Sequence, residues 1–300
     1  DESSMIDNFL AYQLFLLIKP TTKLIFIGDV NQIKPVNNGA FFKTLLDSIP
    51  TTKLNKTFRQ SEDSGIVSVA NNFLNNKNET LTERYIDINK DIQIIQNNNN
   101  NNYEKNLIDT FMKTNGTKQI LSDSNITSRR INRTLQNKFK QEKIPKTIFR
   151  LKDRVMATKN RYDKDIMNGE LGYIHSYSNN KNGLSILIVF DNGIIEEYWM
   201  NELKEIKLAY CISIHKSQGN EWENVLIVND ESNFLNKNLL YTGLTRAKLK
   251  CFIYIDENLL DRTIKTNDKL YLLTKDTSKL PTWENFQVYN IEDNNYLKTF

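Results

Sequence analysis

Cysteine and histidine are scarce: two of each in three hundred residues. Cys211 and Cys251 both sit inside apolar runs, which favours buried free thiols in a reducing compartment over a disulfide framework. His175 and His215 stand apart, and no Cys or His pair has ligand spacing, which argues against a zinc site. Long hydrophobic runs are missing too. The longest, Phe9 to Ile18, is interrupted by Gln13 and is too short to span a bilayer. With no signal peptide either, a soluble, cytoplasmic protein without a membrane partner is expected. A dominant charge is also lacking. Forty Lys and Arg are dispersed among 36 Asp and Glu, for a net charge of +4, which permits a nucleic-acid partner without arguing for one. The length exceeds that of one usual domain, so two or three packed units are expected.

Against these absences, Leu208 to Val228 stands out. The runs Leu208 to Ile214 and Val225 to Val228 are continuous rather than alternating, as in strands buried on both faces of a helix-covered sheet. Between them His215, Lys216, Ser217 and Gln218 crowd hydrogen-bonding groups together, Gly219 lets the backbone approach a ligand, and Glu221 adds a carboxylate. Such a loop suits phosphates or sugars, and equally a solvated turn.

In chain order, Met5, Ile6, Phe9, Leu10, Leu14 and Leu17 have helical spacing, and Leu24 to Ile27 read as a buried strand running into Gly28 and Asp29. Helices are expected over Phe41 to Leu46, Ser64 to Leu74, Tyr103 to Met112 and Ser128 to Phe139, the last with a basic face at Arg129, Arg130 and Arg133. Gln119 to Leu121 read as a strand, and the strand, helix, strand order implies a parallel sheet. Asn97 to Asn102, six consecutive asparagines, have no apolar group to bury and read as a surface loop. Between Phe149 and Ile206 the pattern changes to short alternating runs broken by Asn168-Gly169, Asn182-Gly183 and Asn192-Gly193. These hairpin signals predict four antiparallel strands closing a small barrel: Arg154 to Thr158, Gly172 to Tyr177, Leu184 to Phe190 and Ile194 to Trp199. Leu239 to Lys248 read as a helix start that presents Arg246, and Leu249 to Ile255 as a buried strand.

Five blocks in order resemble the RecD-like branch of superfamily-one DNA helicases, from Asp1 to about Asp256. They are Asp1 to Met5 (the DExx box), GDVNQIKPV from Gly28, LNKTFRQ from Leu54, SIHKSQGNEW from Ser213 and LLYTGLTRAK from Leu239. The resemblance implies an α/β fold: a RecA-like parallel-sheet domain with an inserted small SH3-like β-barrel, preceded by the remnant of a first RecA-like domain. It divides the chain into residues 1–58 (first motor domain), 59–148 with 207–260 (second), 149–206 (barrel) and 261–300 (an extension of unknown role). It implies ATP and Mg²⁺ as cofactors and single-stranded DNA as partner, with 5′ to 3′ movement. By residue, Asp1 would hold Mg²⁺, Glu2 would activate the attacking water, and Gln32 would sense the terminal phosphate. Arg59 and Arg246 would neutralise developing charge, Arg246 as the arginine finger. Asp29 and Gly219 would line the nucleotide crevice, and Glu221 would accept from the sugar. Ser213, His215, Lys216 and Ser217 would face DNA, while Trp222 and Tyr241 would stack bases or simply pack. The family's phosphate-binding loop has no counterpart, since no Gly-Lys pair occurs. A P-loop half, upstream or encoded separately, is therefore expected as a partner, and the chain alone should lack ATPase activity. The alternative is a non-enzymatic module that binds single-stranded nucleic acid or a partner protein.

Overall fold

The computed structural model describes residues 1–35, 37, 39–54, 64–74, 91–96, 103–181, 183–229 and 235–255, the side chains of 71–74 and 96 excepted. Arg59, the asparagine run and residues 261–300 lie outside the described residues. In order the elements are α1 (Asn8–Leu17), α2 (Phe41–Ser48), α3 (Gly65–Leu74), β1 (Ile92–Gln96), α4 (Tyr103–Lys113), β2 (Lys118–Ser122) and α5 (Asn125–Phe139). There follow β3 (Arg154–Ala157), β4 (Leu171–Asn180), β5 (Gly183–Phe190), β6 (Ile195–Trp199), β7 (Ile206–Leu208), β8 (Cys211–Ser213), β9 (Trp222–Val228), α6 (Lys237–Leu244) and β10 (Ala247–Ile255).

The strands form two sheets. The first is all parallel, in the order β1-β10-β9-β2-β8. Its apolar runs are continuous because both faces are covered. One face carries Leu121, Ile212, Val225, Ile227 and Ile253 against Ile66 and Val69 of α3 and Leu239, Leu240 and Leu244 of α6. The other carries Ile120, Cys211, Leu226, Val228 and Tyr254 against Leu107 and Phe111 of α4 and Ile131 and Leu135 of α5. Caps start the helices where the sequence allows: Ser124 Oγ accepts from the Thr127 N–H at 3.1 Å, and Asn236 Oδ1 from the Leu239 N–H at 2.8 Å. Both cysteines are free and buried.

The second sheet is antiparallel, in the order β6-β5-β4-β3-β7. Its core is Val155, Ile174, Ile186, Ile188, Phe190, Tyr198 and Ile206, while Met156 and Leu171 reach across into the core of the parallel sheet. It has five strands rather than four, and no ladder among the described residues joins β6 to β7.

The fifth strand comes from a misread run. Leu208 to Ile214 is not one strand, because Leu208 closes β7 on the antiparallel sheet and Cys211 opens β8 on the parallel one. The break at Ala209 and Tyr210 is stable because two buried amides satisfy its backbone. Gln119 Nε2 donates to the carbonyls of Ala209 (3.1 Å) and Tyr210 (2.9 Å). Asn132 Oδ1 accepts the Cys211 N–H at 2.8 Å, and its Nδ2 donates to the Cys211 and Leu208 carbonyls at 2.8 and 3.2 Å. The antiparallel sheet is held to α5 just as locally. Buried Asp153 accepts from Gln136 Nε2 (2.5 Å), the Arg150 N–H (2.7 Å) and the Tyr210 hydroxyl (2.9 Å).

The amino-terminal segment departs furthest from expectation. Asp7 caps α1, so the helix begins at Asn8, and it buries only Ala11, leaving Phe9, Leu10, Leu16 and Leu17 exposed. Leu24 to Ile27 is extended but not a sheet strand, with Ile25 and Ile27 exposed. Phe26 packs against Phe41, but among the described residues the segment's one backbone hydrogen bond across the chain is the Ser3 N–H to the Ile27 carbonyl, 2.8 Å, and a lone segment without paired neighbours has no ladder to join. Strand β1 went unrecognised because Ile92–Gln96 is short and lies between polar tracts.

Candidate functional site

The segment from Gly28 to Pro35 leaves the amino-terminal cluster and lies along one face of α6. Asn238, Tyr241 and Thr242 share that face by their i, i+3, i+4 spacing. The Ile33 N–H donates to Thr242 Oγ1 at 3.0 Å. Asn238 Nδ2 donates to the carbonyls of Asn31 and Gln32 at 2.9 and 3.2 Å. The Tyr241 hydroxyl donates to Asp29 Oδ2 at 3.0 Å, while Asp29 Oδ1 accepts the Asn31 N–H at 2.9 Å. Asp29 thus accepts two hydrogen bonds within this contact, and the Tyr241 hydroxyl tethers the segment to α6. A Cβ on Gly28 would stand 2.8 Å from the Ser4 nitrogen, so close approach demands the glycine there.

Gln32 Oε1 is buried without a hydrogen-bond partner, and so is Ser4 Oγ. Both residues line a cavity of about 20 Å³, with Lys34 and Lys43 at its wall. That is the room of a single water.

Arg246 lies two residues beyond the end of α6 and just before β10, and its side chain is 2 % exposed. Its guanidinium reaches the Thr242 carbonyl at 3.3 Å, Thr245 Oγ1 at 3.4 Å and the Asn220 carbonyl at 3.5 Å. The arginine therefore ties α6 to the loop after β8, and it is not presented from within a helix. Beside it, Glu221 forms an ion pair with Lys248.

The loop after β8 opens with a 3-10 turn, Ile214–Ser217. This turn sorts its side chains. Ser213 and Ser217 are buried, and Ser217 Oγ donates to the Ile214 carbonyl at 2.7 Å, which turns the Ser217 hydroxyl inward. His215 is exposed, although the surrounding protein partly desolvates it and lowers its imidazole pKa. Lys216 is half exposed. Gly219 has φ +77° with nothing within 4 Å of an added Cβ, so the turn itself requires glycine, not a close neighbour. Trp222 is part of the sheet core and takes no part in a surface.

Lys207 of β7 and Arg129 of α5 join Lys216 in a basic group. Lys207 is half-buried, and its pKa is pushed down to about 8, first by desolvation, then by Lys216 and then by Arg129. Among the described residues no carboxylate pairs with any of the three, whereas Arg130 is spent on Glu104. Lys207 gave no signal in sequence because it falls between the insert, read as ending at Ile206, and the run read as starting at Leu208.

Asp1 and Glu2 are accessible, and Asp1 Oδ1 accepts the Glu2 N–H at 2.8 Å. No group of three or more His, Cys, Asp or Glu is placed to hold a metal among the described residues. Mg²⁺ at a nucleotide needs only one or two carboxylates besides phosphate oxygens. Asp1 and Glu2 are carboxylates of the type such an ion would need, whereas the Gln32 and Ser4 oxygens face a cavity with room for a single water.

Three family models match. Residues 208–254 match the UvrD-like helicase C-terminal domain, residues 129–190 the ATP-dependent RecD-like DNA helicase SH3 domain, and residues 1–97 an AAA domain. In these three regions the chain resembles the RecD-like superfamily-one helicases. The chain is 27 % identical to the ATP-dependent RecD2 DNA helicase of Deinococcus radiodurans, over 84 % of its own length and 35 % of that protein. It is 26 % identical to the RecBCD enzyme subunit RecD of Buchnera aphidicola, over 89 % of its own length and 55 % of that protein. It thus spans only about a third to a half of these relatives. In fold it is similar to the Pif1 helicase of Candida albicans (TM-score 0.57, 17 % identity, 90 % of this chain and 73 % of that one). Bacteroides Pif1 bound to single-stranded DNA is comparable (TM-score 0.54, 17 % identity, 86 % and 71 %). Among the described residues no helix is long and apolar enough to cross a membrane.

Proposed function

We propose that the chain is the carboxyl-terminal part of an ATP-driven DNA helicase that moves 5′ to 3′ along single-stranded DNA. The observation that carries this reading is the docking of the Gln32 loop on α6, which brings together groups more than 200 positions apart next to Arg246. In this reading residues 1–58 belong to a first motor domain, 59–148 and 207–260 to a second, and 149–206 to the insert. Asp1 holds Mg²⁺, which when bound offsets phosphate charge. Glu2 accepts the proton of the attacking water, Gln32 contacts the terminal phosphate, and Arg246 and Arg59 face charge that develops on it. Glu221 contacts the sugar. His215 and Lys216, with Lys207 and Arg129, lie along the nucleic-acid backbone.

A P-loop half supplies the phosphate cradle. Its proposed seat is among the exposed apolar side chains of α1 and of the segment after it, Phe9, Leu16, Leu17, Ile25 and Ile27.

The test has two parts. Calorimetric titration of the chain alone with Mg·ATP is expected to show no saturable binding at micromolar concentration, and tight binding would overturn the need for the second half. With a P-loop half supplied, DNA-stimulated ATP hydrolysis is expected, and Arg246→Ala should abolish it, by about 10³- to 10⁵-fold, while DNA binding persists. Near-normal turnover in that variant would sink the assignment.

A further inference from the structure

We propose that Asn238 and Thr242 are positioning residues, which make α6 a strut that sets the Gln32 loop and Arg246 as one rigid unit. The proposal rests on the roles given above to Gln32 and Arg246.

Every polar atom of the Thr242 side chain and carbonyl is in use, and the residue is fully buried. Its hydroxyl donates to the Asn238 carbonyl at 2.8 Å, so an oxygen lone pair is left for the Ile33 N–H at 3.0 Å. Its carbonyl accepts from Arg246 Nε at 3.3 Å and from Thr245 Oγ1 at 3.0 Å. A single residue therefore bonds the loop on one side and the arginine on the other.

Asn238 supplies the second clamp. Its amide donates to two successive carbonyls, those of Asn31 and Gln32. Together with the Ile33 bond, this fixes the peptide planes on both sides of Gln32 and so the direction in which its side chain leaves the backbone. The Gln32 amide oxygen has no partner of its own, so its aim is delegated to this backbone clamp. Asn236 caps the helix, and Tyr241 adds the bond to Asp29. A displacement at either end is thus transmitted through eight helical residues rather than lost in a flexible loop.

Substitutions that differ by single groups test the strut. Thr242→Ser keeps the hydroxyl, Thr242→Val keeps the shape but removes the acceptor, and Asn238→Asp removes the donors at a half-exposed position. In the chain itself, amide exchange at Ile33 should accelerate at least about tenfold in Thr242→Val and remain near wild type in Thr242→Ser, with the Val225 to Val228 amides unchanged in both. Equal Ile33 protection in the two variants would overturn the strut. In the full-length protein with its P-loop half, Thr242→Val and Asn238→Asp should lower kcat about 10- to 100-fold, with KM for ATP and DNA affinity within about twofold. Thr242→Ser should restore turnover. Unchanged kcat despite a loosened Ile33 would overturn the positioning role. An unsubstituted full-length protein with no ATPase would instead defeat the helicase reading, and the exchange experiment would still decide the strut.

Discussion

Replacing Lys216, Lys207 and Arg129 together by alanine probes whether the unpaired basic group forms a path for nucleic-acid phosphates. Each cation lacks a carboxylate partner among the described residues, so each has its charge available for a phosphate. On a single strand, every phosphate neutralised contributes about 0.7 to the slope of log affinity against log salt. Losing three contacts should therefore flatten that slope by about 2, and the gap between wild type and variant should shrink about 20-fold between about 50 and 200 mM salt. Fluorescence anisotropy of a labelled oligothymidylate, titrated with the chain at several salt concentrations, reads both quantities. Lys248→Ala and Arg130→Ala serve as controls, since those charges are already paired with Glu221 and Glu104. They should change the slope little. An unaltered slope in the triple variant, or an equal flattening in the controls, would refute the assignment of this face.

Three further outcomes follow from the same geometry. Because the Lys207 pKa is pushed down to about 8, DNA affinity should fall as pH rises through that value, and Lys207→Arg should level the curve; a pH series of binding titrations checks this. Asn132→Leu leaves the Cys211 N–H and carbonyl without partners in the interior and should cost about 2–4 kcal/mol, read as a lower urea midpoint at an unchanged m-value. Burial raises the Asp153 pKa above its ordinary value against three opposing hydrogen bonds. The folded state then binds the proton more tightly than the unfolded one, so Asp153 should make stability decline as pH climbs from the ordinary Asp value through the raised one. Melting of wild type against Asp153→Asn across that range should show the difference confined to it, and a parallel pair of curves would contradict the burial argument.

The sequence by itself determined the parts that depend on local pattern. Continuous apolar runs at Val225 to Val228 and Cys251 to Ile255 required a sheet covered on both faces, and β9 and β10 are interior strands of it. Alternation punctuated by Asn-Gly marked the antiparallel insert, because strand period and turn chemistry are carried by neighbouring residues. GDVNQIKPV and LLYTGLTRAK were recognisable as blocks before their positions in space were known. Tertiary structure alone decided how those blocks meet, since hydrogen bonds between positions more than 200 apart leave no periodicity in the chain. The partition of Leu208 to Ile214 between two sheets depended on Asn132 and Gln119, which no reading of the run itself contains. Trp222 and Ser217 were polar-loop candidates by position, yet burial in the core and in a 3-10 turn took them out of any surface. Lys207 and Arg129 became companions of Lys216 only when an antiparallel edge strand and a helix of the parallel layer converged on one loop. Long-range packing, which depends on which faces find cover, made that choice, and local propensity had no part in it.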